Sequence, residues 1–146
     1  MDKTSACVLR VLALCVALGH PVSQAAELRV GFSQDAQTLD PANHRNRENE
    51  TILRNMCDGL LTRDPEMKVV PELAESYRQL DDKTWEFNIR SGVTFHSGAP
   101  LTASDIAFSI NRLVSEKAMG GQTSPRKSLL RPVTGAEVAG ANTVRL

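Results

Sequence analysis

The strongest constraint on the fold is the strict alternation of residues 84–90. Apolar side chains stand at every second position, Trp85, Phe87 and Ile89, and the positions between them are polar. A period of two with aromatic and β-branched residues is typical of a β-strand with one buried face. Residues 76–80 precede it across a polar turn at 81–83. The sequence therefore predicts a β-hairpin whose apolar face is covered by a second layer.

Two segments have helical spacing of apolar residues. The first is residues 46–58, where Asn46 or Asn49 can cap the helix start and Gly59 can end it. The second is residues 102–117, where Thr102 and Asp105 have the spacing of a capping box. We predict a helix over each segment.

The remaining segments are shorter. Extended strands are predicted at 27–32, 60–63, 68–71, 133–138 and 143–146, and short helical pieces at 72–75 and 124–130. Strands and helices occur in mixed order without strict alternation. The predicted fold class is therefore mixed α/β, in the α+β sense.

Charge excludes one class of function. The chain carries 17 Lys plus Arg and 17 Asp plus Glu, so its formal net charge is zero. A nucleic-acid-binding protein needs an excess of basic residues on one face. We therefore expect no nucleic-acid partner.

The first residues have the layout of a secretory signal peptide. Lys3 and Arg10 are basic, residues 11–18 are an apolar run, and Ser23 and Ala25 are the small residues that a signal peptidase accepts. We predict that residues 1–25 are removed after Ala25, or one residue later, on export to the periplasm.

A lipid anchor at Cys15 is the weaker alternative. The residue before it is the bulky Leu14, where a small residue is needed. Cleavage after Ala25 would leave Cys57 as the one remaining cysteine, so no disulfide is expected within the mature chain. Cys57 lies four residues from Leu53 and four residues from Leu61. This helical spacing favours a small buried residue at position 57 rather than a nucleophile.

No pattern in the sequence predicts catalysis. His44 and His96 each lack a second ligand at metal-binding spacing, and glycine-rich phosphate loops and nucleophile elbows are absent. We expect no catalytic residue, no metal and no cofactor. A secreted enzyme whose active site lies beyond Leu146 is the alternative.

Five segments, in order along the chain, resemble one protein family. They are TLDP at 38–41, DGLL at 58–61, VPELAESY at 70–77, DKTWEFNIR at 82–90 and GVTFHSGAPLTASD at 92–105. Together they are similar to the family 5 solute-binding proteins, whose members bind dipeptides, oligopeptides, glutathione or nickel. Two positions depart from the family's pattern: Lys83 replaces a common glycine, and Ser97 replaces a common aspartate.

The resemblance implies a fold larger than this chain. Family members have the bilobal periplasmic-binding-protein type II fold, which closes on its ligand by a hinge. On that basis residues 26–43 are the first strand and loop of lobe I. Residues 44–146 are most of the family's extra domain, truncated before its end.

The resemblance also implies a function. The chain is expected to belong to the extracytoplasmic substrate-binding component of an ABC importer, with a peptide or small-molecule ligand and a permease in the inner membrane as partners. It is expected to be a monomer and not an enzyme. An extracytoplasmic sensor of the same fold and a truncated fragment without binding activity are the alternatives.

The loop after the first predicted strand supplies the candidate ligand contacts. Ser33, Gln34 and Asp35 are polar, and a loop at the end of a lobe I strand can face the cleft between the lobes. An ordinary solvated turn is the competing interpretation.

Overall fold

The structure, a computed structural model, describes residues 27–117 and 119–146. In chain order its elements are α1 (Arg47–Leu53), β1 (Leu61–Arg63), β2 (Val69–Pro71), β3 (Ala74–Asp81), β4 (Thr84–Ile89), α2 (Ala103–Val114), a 3₁₀ helix (Lys127–Leu130), β5 (Glu137–Gly140) and β6 (Thr143–Arg145). Strands β1 and β2 form an antiparallel pair. The other four form an antiparallel sheet in the order β3-β4-β6-β5. Helices and sheets are mixed, as predicted.

The predicted hairpin is confirmed as the pair β3–β4. Tyr77 lies opposite Phe87, and the turn is closed where the Lys83 amide donates to Asp81 Oδ1 at 2.8 Å. Phe87 and Ile89 are buried, as the alternation predicts. Trp85 is on the same face by alternation but is 39% exposed. It stands outside the buried cluster that α2 completes, so its predicted burial is wrong.

Helix α2 covers the apolar face of the sheet. The predicted capping box forms: Thr102 Oγ1 accepts the Asp105 amide, and Asp105 Oδ2 accepts the Thr102 amide at 2.9 Å. Ile106 and Ala107 of this helix are buried in one cluster with Val144, which belongs to strand β6 of the sheet. The helix ends at Val114, three residues before the predicted end at 117.

Helix α1 starts where predicted and ends earlier. Asn46 is its cap, but the last helical residue is Leu53, whereas the spacing predicted a helix to residue 58. The Gly59 amide donates to Glu72 Oε2 at 2.6 Å, and its carbonyl accepts the Leu73 amide at 3.0 Å. These tertiary bonds draw the chain away from the helical path.

Three other predictions on local structure are wrong. No strand forms over 27–32, where Leu28 is 86% exposed, because an alternating segment becomes a strand only beside a partner that satisfies its backbone. No helical turn forms at 72–75, because the amides of Glu72 and Ala74 both donate to the Leu60 carbonyl and keep the chain extended. The strand predicted from residue 133 starts only at Glu137.

Residues 32–146 form one compact unit, to which residues 27–31 do not belong. The predicted signal peptide, residues 1–25, lies outside the described residues. No helix in the described part of the chain is long and apolar enough to cross a membrane. The division of the mature chain at residue 44 stays a prediction.

Candidate functional site

The predicted contact loop, residues 33–35, is exposed and lies near the start of α1. Ser33 Oγ donates to Glu48 Oε1 at 3.1 Å, and Asp35 Oδ1 accepts the Ala36 amide at 2.8 Å. The second bond is local and leaves the rest of the Asp35 carboxylate accessible. The role of Ser33, Gln34 and Asp35 in ligand binding stays a prediction.

A fully buried asparagine holds the chain that follows this loop. Asn49 Oδ1 accepts the Gln37 amide at 3.1 Å, and Asn49 Nδ2 donates to the Thr38 carbonyl. The Asn49 side chain is 0% exposed, so no water replaces these bonds. The sequence pattern indicated Asn49 only as a possible helix cap and gave no sign of this tertiary role.

An ion pair fixes the next part of the segment to α2. Arg112 Nη1 donates to Asp40 Oδ1 at 2.8 Å, and Arg112 Nη2 donates to Asp40 Oδ2, across a sequence separation of 72 residues. The hydrogen bonds from Arg112, and a further one from the Ala42 amide, hold the pKa of Asp40 below its usual value despite partial burial. The same pairing raises the pKa of Arg112.

This pair predicts a specific loss of stability in acid. A carboxyl group whose pKa is lowered by folding stabilises the fold above its unfolded pKa, and the contribution is lost as pH falls through the folded pKa. We expect Asp40→Asn to cost about 1–2 kcal/mol at neutral pH, the low end for charged hydrogen bonds because both side chains are over a quarter exposed. The cost should shrink as the pH falls below about 4 and through the lowered pKa of Asp40.

Urea denaturation of wild type and variant over that pH range measures the difference. Asp82→Asn, in the exposed hairpin turn, is the matched control and should give a difference near zero at every pH. A cost for Asp40→Asn that does not change with pH would contradict the assignment to the ion pair.

A second polar cluster joins α1 to the segment before the 3₁₀ helix. Arg126 Nη1 donates to Glu50 Oε2 at 2.7 Å and to His44 Nε2 at 2.9 Å. A guanidinium group only donates, so His44 Nε2 must accept. The His44 ring is 2% exposed and also lies 3.5 Å from Glu50 Oε2 through its Nε2 atom.

Glu50 is the shared acceptor of this cluster. Its second oxygen, Oε1, accepts Arg54 Nε at 3.0 Å. Burial acts to raise the pKa of Glu50, but the hydrogen bonds from Arg54 and Arg126 outweigh it and hold that pKa below its usual value. Ser124 Oγ donates to the Ala42 carbonyl at 2.6 Å and so anchors the segment that carries Arg126.

The cluster borders a cavity of about 440 Å³. The apolar side chains of Leu53, Leu61 and Val69 line part of it. His44 and charged residues of both signs line the rest: Glu50, Arg54, Asp58, Arg63, Glu72 and Arg126. Small-molecule sites in proteins have this size and combine apolar surface with polar groups. Arg126 Nε and Nη2 bond to none of the described residues, which leaves guanidinium donors at the cavity for a ligand oxygen.

Residues next to His44 and Arg126 in the sequence line a second cavity, of about 360 Å³. Arg45, Lys127 and Arg131 are its charged lining residues, and it has no acidic one. Metal binding has less support: in the described ranges no three His, Cys, Asp or Glu side chains group closely enough to hold an ion. Sequence patterns could not reveal the pairing of His44 with Arg126, because 82 residues separate them.

Comparison with known proteins shows what this chain is similar to. The family model described as "Bacterial extracellular solute-binding proteins, family 5 Middle" matches residues 68–146. The periplasmic oligopeptide-binding protein OppA of Haemophilus influenzae is 30% identical over 103 residues, which are 70% of this chain and 19% of that protein.

Two solved structures extend the likeness to the fold. The oligopeptide-binding protein AppA from Bacillus subtilis, in complex with a nonapeptide, has 26% identity and a TM-score of 0.65 over 71% of this chain and 20% of that one. The PBP AgaA from A. tumefaciens R10, in complex with agropinic acid, has 27% identity and a TM-score of 0.67 over 77% of this chain and 22% of that one. The chain therefore spans about a fifth of the length of the relatives that it matches.

Proposed function

Because this chain belongs to family 5 of the bacterial extracellular solute-binding proteins, we propose that it is part of the extracytoplasmic ligand-binding component of an ABC importer. Its ligand is a peptide or a peptide-like small molecule, as the names of its relatives suggest. Export is directed by residues 1–25, the mature protein acts in the periplasm as a monomer, and a membrane permease receives the ligand. The family consists of solute-binding proteins, and this chain acts by binding, without catalysis.

The observation that carries this proposal is the cavity beside Arg126. Peptides offer carbonyl and carboxylate oxygens, and the open donors of Arg126 suit both. The apolar wall of Leu53, Leu61 and Val69 can take a side chain. The cavity thus combines an apolar surface with charged groups of both signs, among which Arg126 offers open donors to a peptide oxygen.

The network around residues 37–44 supports the same function. Asn49, Arg112 and Ser124 hold a segment that has no regular secondary structure, and His44 reaches the cavity from that segment. A ligand wall that is fixed before binding loses less entropy when the ligand arrives.

We expect the 146-residue chain to bind a tripeptide such as Ala-Ala-Ala weakly, at about millimolar Kd, because a single wall encloses only part of the ligand. Titration followed by NMR should shift the signals of His44 and Leu53. Arg126→Gln should weaken binding about tenfold, the loss of one charge-assisted hydrogen bond.

Arg78→Gln is the matched control, because Arg78 lies on the polar face of the sheet and pairs with Glu86 there. It should leave the affinity unchanged. Shifts that avoid the cavity residues, or equal losses in the two variants, would count against this site.

A further inference from the structure

The charges around the two cavities are unequal, although the whole chain is neutral. The second cavity is lined by Arg45, Lys127 and Arg131 and by no acidic residue. Lys127 is neutralised by an ion pair with Glu116. Arg45 and Arg131 are exposed, and neither side chain forms a hydrogen bond or an ion pair with any other described residue. Two uncompensated guanidinium groups therefore border this cavity.

Arg126, on the wall of the first cavity, is a third cation on the adjoining residues, although Glu50, Asp58 and Glu72 also line that cavity. Arg126 gives one of its nitrogens to Glu50 and His44, and its other donors have no partner among residues 27–117 and 119–146. The Glu50 carboxylate is itself shared with Arg54, so it neutralises neither arginine alone. The surface made by residues 44–45 and 126–131 is consequently rich in open guanidinium donors.

We propose that this protein prefers acidic peptides, with Arg45 and Arg131 as the residues that receive a side-chain carboxylate. The inference rests on the function proposed above and names its substrate class, with the second cavity rather than the first receiving the side-chain carboxylate. A guanidinium group offers a planar fork of donors that matches both oxygens of a carboxylate. The side-chain amide of glutamine has the same shape but no charge and only one acceptor oxygen, so it should bind the guanidinium groups much more weakly.

The charge balance makes the preference specific to this surface. With 17 basic and 17 acidic residues, the chain as a whole does not attract anions. An excess of positive charge confined to one cavity instead concentrates anionic ligands there, and salt weakens the effect.

The test compares two tripeptides of the same shape, Ala-Glu-Ala and Ala-Gln-Ala, in NMR titrations of the 146-residue chain. We expect the Glu peptide to bind about tenfold more tightly. The double variant Arg45→Gln with Arg131→Gln should abolish the preference and leave the affinity for the Gln peptide unchanged. Arg78→Gln should keep the preference. Both cavity arginines are exposed, so an unchanged urea midpoint will show that the double variant is folded.

The outcomes separate the two proposals. Equal affinity for both peptides, with shifts at the cavity residues, overturns the acidic preference and leaves peptide binding standing. A preference that survives in the double variant overturns the assignment to Arg45 and Arg131. Displacement of the Glu peptide by an equal concentration of inorganic phosphate shows a general anion site and also overturns it. Absence of binding by either peptide refutes the peptide site proposed beside Arg126.

Discussion

Replacing Phe87 with alanine should lower the free energy of unfolding by about 3–5 kcal/mol. Phe87 lies on β4, the strand between β3 and β6, and is 8% exposed. It stands opposite Val144, which is fully buried, and its ring stacks on Tyr77 with centroids 6.0 Å apart. Truncation opens a cavity that strands on both sides prevent from collapsing, so both the transfer energy and the packing energy are lost.

Urea denaturation followed by circular dichroism measures this cost. The matched control is Phe108→Ala, because Phe108 is on the outer face of α2 and 68% exposed. Its cost should stay within about 0.5 kcal/mol. Similar costs for the two phenylalanines would show that the sheet is not the core of this unit.

Trp85→Ala provides an intermediate case. The alternation alone gives Trp85 the same burial as Phe87, but Trp85 is 39% exposed and has Tyr77 as its aromatic neighbour, at 6.0 Å. We therefore expect a cost clearly below that of Phe87→Ala, about 1–3 kcal/mol.

Asn49→Ala should cost about 3 kcal/mol, because it leaves the Gln37 amide and the Thr38 carbonyl without their partner. Each buried polar group that loses its hydrogen bond costs about 1–3 kcal/mol. The effect should be local as well as global. Hydrogen exchange at the Gln37 amide should become much faster than the change in global stability explains.

Two other variants test whether the Asn49 side chain is what protects the Gln37 amide. Asn49→Asp keeps an acceptor for the Gln37 amide but loses the donor to Thr38, so Gln37 should regain most of its protection. Asn55→Ala removes an exposed side chain that bonds only to the Thr51 carbonyl, and it should cost less than about 1 kcal/mol. Unchanged exchange at Gln37 in Asn49→Ala would show that the asparagine does not hold the loop.

The sequence alone determined those elements whose causes are local. Alternation over a few residues predicted the β3–β4 hairpin, and the spacing of Thr102 and Asp105 predicted the start of α2. Asn46 was one of the two predicted caps of α1, and it is the observed one. These signals act within one turn or one strand, so they do not depend on the rest of the fold. The five segments between residues 38 and 105 that resemble family 5 likewise indicated the family that the comparisons show.

Tertiary structure decided where local signals end and what surrounds each side chain. Helix α1 ends at Leu53 because Gly59 bonds to distant residues. Residues 27–32 form no strand, although their apolar and polar residues alternate. Glu86 was predicted on the solvated face of its strand, yet it is only 5% exposed. Arg78 of β3 and Arg145 of β6 both reach its carboxylate.

The candidate site depends on such distant pairs throughout. Asp40 meets Arg112 across 72 residues, and Arg126 meets His44 across 82. A polar residue gives the same local signal whether it is solvated or paired, because only the folded chain sets which charges share a low-dielectric surface. The sequence could thus predict the scaffold and the kind of protein, while the position of its open guanidinium groups followed only from the packing of α1 and the segment that carries Arg126.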